Sequence, residues 1–509
     1  MNSFLVQLLL VGCDESEAIE PPVDTDGDGW VDAQDCVPTD PAVNPSASEI
    51  CDNGVDDDCD GGADECRLQG HVPVDTLSGV ALSEEGAWRE YRMASIADID
   101  GDERPDILVG APGHAEESGR LYVLASSQPL PTSLAAAWAS IEGSADEPEL
   151  GSAVAGVGDL DGDGQDDFVA RFQPNDTSER YYSVLGFGFP SAGPAGVDTA
   201  LVRWESDHGY LAHAVSGGGD LTGDGWPDVA FSLHGERTDA GPVPQLVVFG
   251  PPTQSVESEP LVALFEDEST SLHHNVLSTL ARSDIDGDGL DDLIVGASMG
   301  GYGEGWSSQG LVMHYSGPVL GHIFIENADH LVVTAESGAR SDPFVFEGGD
   351  MDADGIDDVI VGDPAAGDET RAVYVLTSDW PDVAADATRS VFGGANHRLL
   401  GDCAAGLGDV DGDGAADLLV TDPSYSTDSI GLEGAAYLFY GPIVGAQTID
   451  SAGFWTTGVD PDEGVGDHCA AVGDWNGDGR PDFGFTSERW STFPYPDTSK
   501  LFLGFGAGI

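Results

Sequence analysis

Positive charge is scarce in this sequence. Only 17 lysines and arginines stand against 93 acidic residues, a formal net charge of −76 over 509 residues. So acidic a chain repels phosphate backbones and anionic headgroups, which excludes nucleic acid and direct bilayer contact as partners. Divalent cations and basic surfaces are its natural counterparts. Long apolar runs are missing as well: beyond the first dozen residues nothing reaches the ~20 apolar residues of a membrane helix. Catalytic signatures are absent. The chain has no G-x-S-x-G elbow, no phosphate loop and no dinucleotide fingerprint. Its 12 histidines are scattered. We therefore expect no enzyme. Acidic disorder is excluded too, because 40% of the residues are hydrophobic and gather in short β-branched and aromatic segments.

What is present is a repeat, and a repeat must be read first. A nine-residue aspartate loop occurs seven times, as DIDGDERPD, DLDGDGQDD, DLTGDGWPD, DIDGDGLDD, DMDADGIDD, DVDGDGAAD and DWNGDGRPD, with first residues at Asp98, Asp159, Asp220, Asp284, Asp350, Asp409 and Asp474. Successive copies lie 61, 61, 64, 66, 59 and 65 residues apart. Positions one, three, five and nine offer side-chain oxygens. The sets are Asp98, Asp100, Asp102 and Asp106; Asp159, Asp161, Asp163 and Asp167; Asp220, Thr222, Asp224 and Asp228; Asp284, Asp286, Asp288 and Asp292; Asp350, Asp352, Asp354 and Asp358; Asp409, Asp411, Asp413 and Asp417; and Asp474, Asn476, Asp478 and Asp482. Carboxylates crowded this closely repel unless a cation sits among them, and hard oxygen donors suit Ca2+. These are not EF-hands: the twelfth position holds Val109, Ala170, Phe231, Val295, Val361, Val420 or Phe485, and an apolar strand follows each loop. The alternative is a set of metal-free acidic hairpin turns. Thr222 weakens the third set, because a hydroxyl anchors a cation poorly. Glu103 replaces the sixth glycine of the first loop and Ala353 the fourth of the fifth loop, where glycine suits the turn better.

Around each loop lie four short apolar segments. In the second unit they are GSAVAGVG, DFVARF, YYSVLGFG and ALVRWES. Four antiparallel strands per unit predict an all-β fold, a seven-bladed β-propeller of four-stranded blades over residues 70–509. The last unit lacks a fourth strand, so Val72–Leu77 is expected to close the last blade, sealing the ring without a covalent link. Cys403 and Cys469 precede their loops by six and five residues. That parity sends them to opposite strand faces, so they read as small buried residues, an inter-blade disulfide being the alternative.

The units resemble FG-GAP repeats, the building blocks of the integrin alpha-subunit propeller. The signature GDxDGDGxxDxxVGAP is visible over Asp98–Pro112 and Asp284–Ser298, and in part over Asp350–Pro364 and Asp409–Pro423. The resemblance implies calcium between the first and second strands of a blade, on one face, and partner binding through loops on the other. Those loops span about 111–119, 171–180, 231–244, 297–309, 363–370, 422–434 and 487–498. They include the aromatic residues Tyr302, Trp306, Trp490, Phe493 and Tyr495.

Residues 24–69 form a separate acidic module. Asp24, Asp26, Asp28, the Trp30 carbonyl, Asp32 and Asp35 fall at positions 1, 3, 5, 7, 9 and 12 of a calcium-loop pattern. A looser set follows at Asp52, Asp56, Asp58 and Asp60. With so little apolar matter, the module depends on metal or disulfides. Cys36, Cys51, Cys59 and Cys66 supply two, in a pairing the spacing leaves open, Cys36–Cys51 with Cys59–Cys66 being the simplest. From Asp24 to Glu65 the segment resembles a metal-binding repeat of myxobacterial surface proteins, some of them copper-associated. No Met or His cluster here argues for copper, and the acids favour calcium.

The start, MNSFLVQLLLVGC, resembles a bacterial lipoprotein signal with Cys13 as the acylated residue, although no lysine or arginine precedes it. Residues 1–13 then form the signal and 14–23 a tether. These readings together predict a monomeric, calcium-binding adhesion or scaffold lipoprotein that binds a protein or polysaccharide. It is placed in the envelope, outer membrane or surface of a Gram-negative bacterium, or secreted. Its only membrane contact is the N-terminal lipid. A surface hydrolase of the phospholipase or glycan type, or a passive calcium store, are the alternatives.

Overall fold

The computed structural model describes residues 23–45, 55, 59, 68–77, 79–83, 91–114, 118–129, 131–145, 148–172, 183–188, 192–205, 210–234, 246–250, 262–265, 274–299, 309–334, 341, 343–363, 372–377, 380–381, 384, 389–393, 397–426, 431–488 and 499–504. The chain separates into two compact units, Met1–Cys66 and Arg67–Ile509.

In the larger unit the two-residue periodicity becomes seven sheets. Blade 1 runs outward through Arg92–Ile96, Asp106–Ala111, Arg120–Leu124 and Ala139–Glu142, all antiparallel. Its neighbours repeat that order. Their innermost strands are Val154–Gly158, Tyr210–Gly217, His274–Ser283, Phe344–Gly349, Ala404–Gly406 and Val465–Gly473. Alternate side chains leave opposite faces of a strand. Thus Ile107 and Val109 pack toward blade 7 while Leu108 packs toward blade 2. Seven buried apolar clusters result, one between each pair of adjacent blades. The cluster that joins Tyr91, Met93 and Ile107 of blade 1 to Trp475, Leu501 and Leu503 of blade 7 makes the circuit complete.

The blades are not uniformly four-stranded. Blades 2, 4 and 7 have four strands, but blades 1, 3, 5 and 6 carry a fifth. The extra strands are Gly193–Gly196, Gly321–Phe324, Ala446–Thr448 and Gly70–Pro73, each parallel to the fourth strand of its blade. Each is followed by a single 3-10 turn, at Val197–Thr199, Ile325–Asn327, Ile449–Ser451 and Val74–Thr76. The first three come from the connection between the third and fourth strands of the next blade, which lies back on its predecessor.

The closing strand also differs from the expected Val72–Leu77. Gly79–Leu82 pairs antiparallel with Lys500–Gly504 and completes blade 7, whereas Gly70–Pro73 pairs with Phe454–Thr457 of blade 6. Between the two, Val74 is buried in the cluster that joins blades 6 and 7. A segment shared by two blades cannot be one strand, and the turn at Val74–Thr76 makes the step from one to the other.

Cys403 and Cys469 are disulfide-bonded, with Cα atoms 5.8 Å apart, and are not separate buried thiols. Register shifts on both sides of Cys469 break the count by twos that parity requires. Cys403 adjoins the inner strand of blade 6 and Cys469 lies within that of blade 7. The bond therefore clamps two blades where they are closest to the axis.

In the smaller unit Cys36 pairs with Cys59, which replaces the Cys36–Cys51 and Cys59–Cys66 arrangement. Cys51 and Cys66 lie outside the described residues.

Candidate metal centres

Each aspartate loop joins the first strand of a blade to the second, and the seven share one hydrogen-bond plan. The first aspartate is the hub. Its Oδ2 accepts the backbone N–H of position six in every copy, at 2.6 to 2.9 Å. The fifth-position Oδ1 accepts the N–H of position seven, at 2.9 to 3.0 Å. The ninth aspartate opens the second strand or immediately precedes it, and is at most 1% exposed in all seven loops. Its Oδ2 turns back to a backbone N–H at position two, or position three in the third loop. Winding the chain this tightly puts positions four and six in the left-handed region. Glycine holds most of them, but Glu103 has φ 69° and Ala353 φ 61°. Both substitutions noticed in the sequence therefore sit on strained backbone.

These internal bonds leave oxygens over. Asp167, Asp228 and Asp358 each bury an Oδ1 with no hydrogen-bond partner, as Asp100 and Asp352 do at position three. Buried carboxylate oxygens without partners are costly. Burial, with the nearby loop carboxylates adding to it, pushes the Asp106 and Asp228 carboxyls up to about 6 and those of Asp167, Asp358 and Asp417 to about 7. A bound cation would remove both penalties at once. The groupings fit one: oxygens of Asp98, Asp100 and Asp106, of Asp159, Asp161 and Asp167, and of Asp24, Asp26 and Asp28 lie within 4.8 Å of one another.

The loops differ in what else faces them, and here the sequence reading missed residues. Arg104 of the first loop donates to Asp102 and to the Trp475 carbonyl of the last loop. Arg480 likewise reaches the Val410 carbonyl. Position seven thus latches each of these loops to the preceding one. Arg389 pairs with Asp352 at 2.8 Å, and His314 Nε2 lies 3.1 Å from Asp292. Backbone donors arrive from the end of the third strand: Ser126, Gly317 and Gly441 N–H groups bond the Oδ1 of Asp106, Asp292 and Asp417. The Gly-Pro pairs at 317–318 and 441–442 were the available signal for the last two.

In the smaller unit Asp24 accepts the N–H groups of Gly27 and Gly29, and Asp28 that of Trp30. Asp32 accepts from Thr25, as a ninth-position aspartate does in the propeller. The first nine residues of this loop thus repeat the hydrogen-bond plan of the propeller loops. Asp35, whose charge is felt by Asp26 of the loop, also groups with Cys36 and Cys59, whose sulfurs are bonded to each other and cannot serve as thiolate ligands. Asp52, Asp56, Asp58, Asp60 and Cys13 lie outside the described residues.

On the opposite face, a cavity of about 490 Å³ at the axis is lined by Arg92, Arg171, Phe344, Phe346, Asp402, Asp467 and His468 among others. Arg92 stands 3.6 Å from Asp467 across the junction of blades 1 and 7. Two arginines at one opening are conspicuous in a chain with only 17 basic residues. The aromatic residues Tyr302, Trp306, Trp490, Phe493 and Tyr495 lie outside the described residues. No helix among the described residues is long and apolar enough to cross a membrane.

Two families match the chain. The "Putative metal-binding motif" covers residues 35–65. The FG-GAP repeat matches residues 94–124 and 276–313, which fall in blades 1 and 4. Among curated proteins, the integrin alpha chain pat-2 of Caenorhabditis briggsae is 27% identical over 237 residues, 42% of this chain and 18% of its own. Integrin alpha-4 of Xenopus laevis is 24% identical over 42% of this chain and 19% of its own. Integrin alpha-PS2 of Drosophila melanogaster is 26% identical over 39% and 14%. The chain therefore spans less than a fifth of the length of these relatives. It carries a metal-binding-type motif followed by FG-GAP repeats that form a seven-bladed propeller, as in integrin alpha proteins.

Proposed function

We propose that this FG-GAP propeller is a calcium-loaded adhesion or scaffold module of the bacterial cell surface, which binds a protein or polysaccharide through the face opposite its metal loops. The observation that carries the calcium reading is the buried, unpartnered ninth-position oxygen of Asp167, Asp228 and Asp358. It recurs at the same step of a repeated loop whose donors are all oxygens, the set calcium prefers. Bound there, the ion would cancel repulsion among the loop acids and fix each first-to-second strand hairpin. Binding to the folded state alone stabilises it. Ions so placed are structural. The domain then offers a rigid face for a partner, and similarity to integrin alpha chains favours binding over catalysis.

Acylation at Cys13, a tether over residues 14–23 and the module over 24–69 would hold the monomeric propeller off the membrane. The test is retention of surface protein or polysaccharide by the immobilised full chain in millimolar calcium, followed by elution with chelator. Retention unaffected by chelator would sink the calcium dependence. No retention from either extract would sink the adhesive role.

A further inference from the structure

The fourth blade departs from the oxygen-only pattern. His314 lies on the third strand, opposite Ile294. The same register position is filled by Val123, Val375, Leu438 and Leu503 in blades 1, 5, 6 and 7. An imidazole replaces an aliphatic side chain there, beside the ninth-position Asp292. It is 1% exposed. Its Nε2 is 3.1 Å from Asp292 Oδ2, close enough to help hold the buried Asp292 carboxyl below its usual value, but the contact is not a formed hydrogen bond and neither ring nitrogen has another partner. A buried imidazole without one is costly.

Asp292 has backbone donors besides the imidazole. Its Oδ1 accepts from Gly317 N–H at 2.8 Å and its Oδ2 from Ile285 N–H at 2.9 Å. These backbone bonds orient the carboxylate as outer-shell donors orient a metal ligand. Ligand atoms of Asp286, Asp292 and His314 lie within 4.8 Å of one another. Two donors each about 2.0–2.2 Å from one ion stand about 3.0 Å apart at octahedral angles and about 3.4 Å at tetrahedral ones, a range that includes the observed 3.1 Å imidazole–carboxylate separation. The His314 ring is held by stacking on Trp380 at 5.3 Å and on His330 at 5.5 Å. Asp286 is exposed, so solvent can complete the coordination.

We infer that the fourth loop is a mixed nitrogen–oxygen site for a divalent transition ion of the zinc class, held by Asp286, Asp292 and His314, and distinct from the calcium-type loops. An imidazole donor favours zinc and its neighbours, whereas calcium takes oxygen.

The test uses the full chain, stripped with chelator and then saturated with calcium to fill the oxygen-only loops. Zn2+, or Co2+ followed by its visible absorption, is titrated against it. One equivalent binds in the presence of calcium, and the His314→Leu variant binds it at least tenfold more weakly while melting like the parent. Leucine already fills the equivalent position in blades 6 and 7. Should that variant fail to fold, Asp286→Asn on the exposed loop tests the same claim and also weakens the titration. Absence of a bound equivalent in calcium, or equal binding by parent and variants, overturns the inference.

Discussion

Chelation should make the propeller less stable as pH rises, the reverse of what an acidic protein rich in salt bridges does. The perturbed groups are the ninth-position carboxyls: Asp106 and Asp228 near 6, Asp167, Asp358 and Asp417 near 7. Each is raised from the ordinary 3.8, so the folded metal-free chain holds protons that the unfolded chain releases. Stability is then fully present below the unfolded value and is lost as pH rises through the folded one. Between pH 5 and 7.5 a group near 7 loses about 2.5 kcal/mol and a group near 6 about 1.4 kcal/mol. The five together amount to about 10 kcal/mol, or about 5 kcal/mol if water entering the stripped loops relieves half. In a unit of this size each kcal/mol moves the midpoint by roughly 1–2 °C. The assay is thermal unfolding in chelator at pH 5, 6 and 7.5, beside samples in millimolar calcium. In chelator the midpoint falls by about 5–20 °C. With calcium it stays nearly flat, because coordinated carboxylates remain ionised throughout. A chelated midpoint that is level or rises over this range would refute the argument that these acids await a cation.

Three further outcomes follow from the geometry. Reduction of Cys403–Cys469, or a Cys403→Ala, Cys469→Ala double variant, frees a 66-residue loop. It should cost about 4 kcal/mol, read as a lower denaturant midpoint. Glu103→Gly and Ala353→Gly relieve left-handed strain and should each add about 0.5–1 kcal/mol, measured by unfolding in calcium. Leu82 is fully buried in the cluster between blades 7 and 1. Leu82→Ala should cost about 2–5 kcal/mol, seen as faster proteolysis near both ends of the propeller; an unchanged digestion pattern would mean that the closing strand carries no stability.

The repeat count and the hydrogen-bonded form of the loops were legible because both are local. A nine-residue turn fixes its own hydrogen bonds, so Asp98 and Asp106 could be paired from spacing alone. Features made by chain folding back on a neighbour were not. The fifth strands, such as Gly193–Gly196 and Ala446–Thr448, are short and carry almost no large apolar side chain to mark them. The Cys403–Cys469 bond was hidden because register shifts in the Val465–Gly473 strand defeat counting by twos. His314 was invisible because it approaches Asp292 from the third strand, 22 residues on, with nothing in its own segment to mark a ligand.

The ring closure shows what comparison of units, rather than of single strands, would have recovered. GHVPVDTLSGVAL at residues 70–82 has the same order as GPAGVDTALVRWE at 193–205: a short strand, a Val-Asp-Thr 3-10 turn, then a fourth strand. Residues 70–82 are therefore the missing last quarter of the seventh unit, displaced to the front of the chain. That displacement explains why one segment serves two blades. In every such unit the first part lies back on the preceding blade and the second completes its own, so the front segment must bridge blades 6 and 7 while the chain that follows it opens blade 1. Three blades then hold the closure together: a parallel strand on blade 6, an antiparallel strand on blade 7 and the buried contact of Leu82 with blade 1. Arg104 adds a polar latch from the first aspartate loop to the last. A ring with its ends distributed in this way cannot open at one hydrogen-bonded edge alone, so the seam loses the whole set together rather than fraying strand by strand.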